Sequence, residues 1–177
     1  MKKHINQIII LLVSATLLVG CDQMVKYWTV NHLKGKADIA LWPGVFELTY
    51  VENRGAAFGM LENQRWLFTI LTVIVICGLI YVFLRLGTER RFKLTRICCV
   101  GVLAGAIGNL IDRSMLHYVV DMFYFKLIDF PVFNVADCYV VVFGILFCLA
   151  ALLKKNLLDE ITERLGRKGL KDDGPEI

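Results

Sequence analysis

The stretch "LFTILTVIVICGLIYVFL", residues 67–84, contains 18 consecutive residues without a charged side chain. A helix that crosses the hydrocarbon core of a bilayer needs about 20 mostly apolar residues. This run reaches that range without counting any polar residue at its ends. It therefore predicts a transmembrane helix over about residues 67–86, and the rest of the chain can be interpreted outward from it.

Three further runs, residues 5–21, 97–111 and 138–153, also lack charged side chains. Each is long enough to span a bilayer once the polar residues at its ends are included. Hydrophobic residues make up 57% of the chain, above the roughly 45–50% typical of soluble domains. The sequence therefore predicts an all-α membrane protein. Residues 1–177 form one integral membrane domain, with helices at about 5–22, 67–86, 97–114 and 137–154.

The distribution of basic residues predicts the orientation of these helices. Four spans place both termini on one side of the membrane, and that side receives 13 of the 20 Lys and Arg residues. An excess of Lys and Arg marks the cytoplasmic face. Both termini and the tail 155–177 are therefore expected to be cytoplasmic, and the segments 23–66 and 115–136 are expected to face outward. This topology explains the net charge of +4, so no nucleic-acid partner is predicted.

The outer segments have the pattern of short strands. In "LWPGVFELTYVENRG", residues 41–55, a Pro-Gly turn is followed by alternating apolar and polar residues and then by a second turn. The segment "HYVVDMFYF", residues 117–125, has a similar strand-like composition. We expect a small outward-facing sheet on the membrane, and a short amphipathic helix in the tail after Lys154.

The first apolar run also resembles the signal peptide of a lipoprotein. "LVGC", Leu18 to Cys21, has the pattern of a lipobox and follows a basic "MKK". A signal peptide, however, has an apolar region of only about 7–15 residues and is not followed by three further spans. A chain that is itself a lipoprotein, modified at Cys21, stays open as an alternative at this point.

Neither a cofactor nor a metal is predicted. The six cysteines lie in or at the ends of apolar runs and form no CxxC pair, which is typical of small hydrophobic residues in a helix bundle. The three histidines form no HExxH motif.

Polar residues cluster where the third and fourth helices meet the outer segments. "GNLIDR" places Asn109, Asp112 and Arg113 on one helix face, and "FNVAD" places Asn134 and Asp137 three residues apart. An ionisable side chain inside a span costs roughly 2.5–3.5 kcal/mol on insertion scales, so such residues are candidates for function. The alternative is structural: an ion pair between Asp112 and Arg113 or a neighbour, with the remaining residues as interfacial anchors.

Asp121 and Asp137 could form a catalytic pair. Two carboxyl groups brought close in a low-dielectric pocket cannot both ionise and therefore share a proton. One can then act as general base on a water molecule while the other polarises a carbonyl, which is the chemistry of an aspartic protease. Asn109 and Asn134 could orient the pair because amides both donate and accept hydrogen bonds. A non-catalytic transporter is the other class, but its polar residues would lie near the bilayer midplane.

Five separated motifs together resemble the signal peptidase II family, the bacterial lipoprotein signal peptidases. They are "DQMVK" (residues 22–26), "ENRGAAFG" (52–59), "AGAIGNLIDR" (104–113), "VVD" (119–121) and "FNVAD" (133–137). The resemblance covers most of residues 15–145. One departure is Ala104, where the family commonly has a second glycine, and it concerns helix packing rather than the candidate catalytic residues.

The resemblance implies an aspartic endopeptidase of the bacterial inner membrane, with an outer β-cradle and its active site near the outer face. A monomer is expected. Its partners would be membrane lipid and prolipoproteins already diacylated on the lipobox cysteine, which it would cleave before that cysteine. By resemblance, Asp121 and Asp137 are the catalytic residues, and Asn53, Asn109, Arg113 and Asn134 line the substrate site. Supporting positions are Asp22, Gln23, Lys26, Gly55 and Asp112.

Overall fold

The computed structural model describes residues 2–55, 65–153 and 156–166. Its elements, in chain order, are α1 (Lys2–Leu33), β1 (Ile39–Trp42), β2 (Phe46–Asn53), α2 (Arg65–Arg85), α3 (Lys93–Met115), β3 (Val119–Tyr124), α4 (Val135–Leu153) and α5 (Leu157–Gly166). Helices α1 to α4 are long and apolar enough to cross a membrane. The prediction of a mostly helical protein with four membrane-length apolar helices and a small sheet is therefore confirmed.

Helix α1 is longer than predicted. The predicted end near residue 22 is wrong, because the helix continues without interruption to Leu33. The polar residues that suggested an end, Asp22 and Lys26, lie one turn apart and form an ion pair 3.0 Å long on the buried side of the helix. Since their charges are satisfied inside the bundle, these residues extend the helix instead of terminating it.

Helix α3 is the centre of the bundle and packs against α1, α2 and α4. Its small residues leave no space for side chains at the helix contacts. A Cβ atom at Gly101 would lie 1.9 Å from the Phe143 ring, and one at Gly105 would lie 2.4 Å from the Ala136 carbonyl oxygen. The glycines therefore serve close packing of α3 against α4, and the fully buried Ala104 fits the same face.

The three strands form one antiparallel sheet in the order β1-β2-β3. In the β2–β3 pair, Val51 lies opposite Asp121 and Asn53 lies opposite Val119. The chain after β3 returns to this strand, since Phe133 pairs with Phe123 through two backbone hydrogen bonds of 2.8 and 3.1 Å. This return places the start of α4 beside β3.

Helix α5 packs against α2 and α4. Its buried Leu157 and Ile161 contact Leu86 and Phe92 at the connection between α2 and α3. Arg164 forms an ion pair with Glu89 on the same connection. The expected amphipathic helix in the tail is therefore present, and residues 167–177 of the tail lie outside the described residues.

Candidate active site

Asp121 is buried at the middle of β3, with 1% of its surface exposed. Its Oδ2 accepts a 2.8 Å hydrogen bond from Asn53 Nδ2, and its Oδ1 accepts a 2.6 Å bond from Asn134 Nδ2. The strand register explains the first contact, because Asn53 on β2 is the diagonal neighbour of Asp121 on the same sheet face. Asn53 is itself held by a bond from the Gly55 N–H to its Oδ1.

Asp137 lies in the first turn of α4, where it forms a capping box with Asn134. The Asp137 N–H donates to Asn134 Oδ1 at 3.0 Å, and the Asn134 N–H donates to Asp137 Oδ2 at 3.1 Å. This capping role was not recognised from the sequence, although the Asn-x-x-Asp spacing ahead of an apolar run is its signature. The orientation of the Asp137 carboxylate is therefore fixed by the same hydrogen bonds that begin helix α4.

Two asparagines connect the aspartates. Besides bonding Asp121, Asn134 Nδ2 lies 3.2 Å from Asn109 Oδ1, and Asn109 Nδ2 donates to Asp137 Oδ1 at 2.8 Å. Asn134 therefore contacts both carboxylates, one through its side chain and the other through its backbone. The fold therefore brings five of the six predicted site residues into one hydrogen-bonded network: Asn53, Asn109, Asp121, Asn134 and Asp137.

The environment of Asp121 favours its protonated form. Burial, followed by the negative charge of Asp137, raises the pKa of the Asp121 carboxyl from 3.8 to about 7. The hydrogen bonds from Asn53 and Asn134 lower the pKa, but they do not offset these two effects. A carboxyl with such a pKa can donate a proton near neutral pH.

A buried ionic cluster lies directly beneath the site. The Lys26 ammonium is within 3.0 Å of Asp22 Oδ2, 2.9 Å of Asp112 Oδ2 and 3.0 Å of Asn109 Oδ1. An ammonium has three hydrogens to donate, and three acceptors satisfy them. Gln23 Nε2 joins the same cluster through Asp22, Asp112 and the Gly108 carbonyl. Because Lys26 and Asn134 both approach Asn109 Oδ1, the amide nitrogen of Asn109 must face Asp137.

The carboxylates of this cluster hold the backbone next to each candidate catalytic residue. Asp22 Oδ1 accepts the N–H of Ala136 at 2.9 Å, and Asp112 Oδ2 accepts the N–H of Val120 at 3.1 Å. Asp112 does form a structural ion pair, as the alternative interpretation held, but Arg113 as its partner is wrong, because Asp112 pairs with Lys26. Asp112 and Arg113 are adjacent on one helix turn but contact different partners. Lys26 on α1 is too distant in sequence for a local pattern to predict it as the partner of Asp112.

Arg113 lies between two cavities. The larger, of about 870 Å³, is also lined by Asn53, Gly55, Asp121 and Asp137. The smaller, of about 340 Å³, lies among α2, α3 and α4 and also reaches Asp137. The guanidinium lies 5.6 Å from the Phe68 ring centroid and interacts electrostatically with both aspartates, more strongly with Asp137. Among the described residues Arg113 donates no hydrogen bond, so its donors are available to a ligand.

Two parts of the cavity wall were not predicted from the sequence. One is apolar, with exposed side chains between β3 and α4 and on α4: Phe125, Ile128, Phe130, Val141 and Val142. The other is ionic: Glu52 on β2 and the following Arg54 line the cavity, and Glu52 accepts bonds of 3.0 Å from Arg54 and from Lys34, which follows α1. These bonds, with that of Lys34 the stronger, lower the pKa of Glu52 to about 2. A composition of aromatic and aliphatic residues alone does not distinguish a cavity wall from a core.

The comparisons with known proteins agree with this geometry. The family model for Signal peptidase (SPase) II matches residues 14–153. The chain belongs to the signal peptidase II family. A "Lipoprotein signal peptidase" of Clostridioides difficile (strain 630) is 44% identical over 137 residues, which cover 77% of this chain and 90% of the relative. A protein of the same name from Streptococcus thermophilus (strain CNRZ 1066) is 43% identical, over 78% of this chain and 89% of the relative.

Solved structures of similar fold support membership of the signal peptidase II family. A bacterial membrane enzyme determined by the in meso method at 2.3 Å resolution superposes with a TM-score of 0.70 at 28% identity, covering 91% of this chain and 94% of that one. Another, at 1.9 Å resolution, gives a TM-score of 0.69 at 31% identity, covering 81% and 92%. A protein of this family is a protease, and its four apolar helices make this one a multi-pass membrane protein.

Membership of the signal peptidase II family, together with the structure, disfavours the alternative of a lipoprotein modified at Cys21. Cys21 is exposed on the surface of a continuous helix, and the next residue, Asp22, is fully buried against α4. Cleavage before Cys21 would remove most of the apolar part of α1 from the helix bundle. Only the C-terminal part of α1, which contains Asp22 and Lys26, would remain.

Proposed function

We propose that this chain removes the signal peptides of prolipoproteins as an aspartic endopeptidase, with Asp121 and Asp137 as its catalytic residues. The observation that carries the proposal is that both carboxylates line one cavity and both are bonded by Asn134. The family of the chain and the names of its relatives support the reaction, and the geometry supports the choice of residues.

In the proposed reaction the two aspartates share one proton. Asp137, as carboxylate, takes a proton from a water molecule while the water oxygen bonds to the scissile carbonyl carbon. Asp121, as acid, gives its proton to the carbonyl oxygen, which produces a neutral gem-diol. A proton then passes from Asp137 to the amide nitrogen, the C–N bond breaks, and Asp121 recovers its proton from the gem-diol as the acid product forms. The raised pKa of Asp121 supports its role as the acid.

The cavity wall supports a lipid-modified substrate. Exposed apolar side chains, among them Phe130 and Val142, border the catalytic residues, so acyl chains attached to a cysteine could remain in the bilayer while the peptide bond reaches the carboxylates. Arg113 would hold a backbone carbonyl of the signal peptide with its unpaired donors. Asn53 would close over the substrate from β2. A prolipoprotein carrying a diacylglyceryl group is therefore the proposed substrate, cleaved before the modified cysteine.

The protein is proposed to act as a monomer in the bacterial inner membrane, with both termini cytoplasmic and its active site near the outer face. The distribution of Lys and Arg supports this orientation, because 13 of 20 fall in the sequence segments that the four-span topology assigns to the same side as the termini. The β-sheet, at the other end, would then form a cradle on the outer surface beside the active site.

The test is cleavage of a synthetic diacylated prolipoprotein by the purified Asp121→Asn and Asp137→Asn variants. Each should lower the rate by several orders of magnitude, and the double variant by little more, because the two residues act as one unit. Asp129→Asn is the matched control, since Asp129 is an exposed aspartate between β3 and α4 that does not line the cavity. Substantial cleavage by either single variant of verified fold would move the catalytic role to other residues.

A further inference from the structure

A third cavity, of about 670 Å³, lies at the opposite end of the helices from the candidate active site. It shares no lining residue with either of the two cavities beside Arg113. Helices α1, α2, α3 and α4 all contribute to its wall. Most of the wall is apolar and consists of Ile10, Leu17, Leu18, Phe83, Ile97, Val100 and Phe143. Such a slot between membrane-spanning helices suits a hydrocarbon chain.

Three cationic side chains line the same cavity around the N-terminus of α3: Arg90, Lys93 and Arg96. Arg90 and Lys93 are exposed, and neither forms an ion pair with any residue that the structure describes. Arg96 is held at the cavity by stacking on Phe83, 4.4 Å from the ring centroid, and by a bond to the Gly87 carbonyl. Its Nε is buried and has no hydrogen-bond partner among the described residues.

No acidic residue among the described ones lines this cavity, and the first turn of α3 contains none. No carboxylate in the lining thus neutralises the three cationic side chains, and the positive N-terminal end of the α3 dipole adds to their electrostatic field. From Lys93 to Val100 the lining extends over eight residues of α3, which is about 10 Å at a rise of about 1.5 Å per residue. A concentrated positive charge thus lies at one end of an apolar slot.

We propose that this cavity binds one anionic phospholipid. The headgroup phosphate would lie between Arg90, Lys93 and Arg96, and an acyl chain would follow α1 and α3 between Ile10 and Val100. A soluble anion would use only the charged end, and a neutral lipid only the slot, whereas an anionic lipid satisfies both. Basic pockets between transmembrane helices are a known way to bind such headgroups.

Native mass spectrometry of the purified full chain in detergent, titrated with phosphatidylglycerol or phosphatidylcholine, tests the proposal. The wild type should retain phosphatidylglycerol severalfold better than phosphatidylcholine. The double variant Arg90→Gln/Lys93→Gln should lose this preference. Arg91→Gln is the matched control, because Arg91 lies in the same segment but contacts Glu160 and does not line the cavity. Its preference should equal that of the wild type.

A second variant tests the apolar part without changing charge. Ser14 is half-buried in the α1 wall, and Ser14→Phe should fill the slot and lower phosphatidylglycerol retention severalfold. Glycerol 1-phosphate in excess should not displace the lipid. The proposal is overturned by equal retention of both lipids in the wild type, by unchanged preference in folded Arg90→Gln/Lys93→Gln, or by displacement with glycerol 1-phosphate, which would indicate a free-anion site. If the double variant does not fold, the wild-type lipid comparison and Ser14→Phe decide.

Discussion

The carboxylate of Asp22 on α1 accepts the backbone N–H of Ala136, the residue directly before Asp137, at 2.9 Å. These two residues are 114 positions apart in the chain. On the other side of the site, Asp112 holds Val120, the residue directly before Asp121. Lys26 bridges the two supporting carboxylates. The residue before each catalytic candidate is thus held at its backbone N–H by one carboxylate of a single buried ionic cluster.

Asp22→Ala should destabilise the protein and lower kcat. The substitution removes one partner of the buried Lys26 and leaves the Ala136 N–H without its acceptor. Removing one member of a buried ion pair lowers the free energy of unfolding by about 3–5 kcal/mol. Asp22→Asn keeps an oxygen for Ala136 and should retain more of both properties. Thermal unfolding and prolipoprotein cleavage measure the effect. Asp38→Ala, at an exposed aspartate, is the control. Wild-type stability and kcat in Asp22→Ala would show that the cluster does not position Asp137.

Gly108→Ala should disrupt the same cluster by steric contact. Its Cβ would lie 2.6 Å from Asp22 Oδ2 and 3.3 Å from the Ala136 Cβ, so Asp22 would have to move. We expect a loss of cleavage of at least about tenfold, since small displacements of positioning groups cost rates of this order or more. Gly144→Ala on α4 is the matched control, because nothing lies within 4 Å of its added Cβ. Equal rates for the two variants would contradict the packing argument.

The pH dependence of kcat/KM should have an alkaline limb near pH 7. Asp121 must hold its proton to act as the acid, and its pKa is raised to about 7, so activity is present below that pH and is lost above it. Asn53→Ala removes a hydrogen bond that lowers this pKa. The proton is then held more tightly, and the alkaline limb should move to higher pH. Arg54→Ala, at the next residue, should leave the limb in place. A shift to lower pH in Asn53→Ala would assign the limb to another group.

Arg113→Lys should weaken cleavage while the protein remains folded. The substitution keeps the positive charge near Asp137 but loses the planar fork of donors that can bind a carbonyl in a fixed direction. We expect kcat/KM to fall by about tenfold, close to 1.4 kcal/mol. Arg54→Lys is the control, because that guanidinium is already bonded to Glu52. If Arg113→Lys cleaves at the wild-type rate, charge alone accounts for the role of this residue.

Reporter fusions at Glu89 and Lys126 should report opposite sides of the membrane, with Glu89 cytoplasmic. Glu89 lies between α2 and α3 and pairs with Arg164 of α5, whereas Lys126 follows β3 and pairs with Glu47 of the sheet. An alkaline phosphatase and a cytoplasmic fluorescent reporter at each position measure the side. The same side for both would exclude the four-helix topology.

Much of this protein is determined by local sequence. The spans follow from run length, because transfer of an uncharged run into a bilayer depends on composition and not on distant partners. The strand over residues 46–53 follows from alternation of apolar and polar residues, and the strand over residues 119–124 follows from a strand-like composition. The amphipathic helix α5 was also expected from the sequence. The polar residues near the ends of α3 and α4 already indicated Asp121, Asp137, Asn109 and Asn134 as a site, and motif resemblance added Asn53. The structure brings all five together.

The tertiary structure alone decided how these residues are held. The continuation of α1 to Leu33 depends on the contacts of Lys26 with Asp112 and Asn109 on α3. The sequence of α1 by itself does not contain these contacts. In the same way the partner of Asp112 is Lys26, 86 residues away as their numbers show, and not the adjacent Arg113. The physical reason is that a buried charge takes the partner that satisfies it in the folded bundle, and chain separation does not enter that free energy.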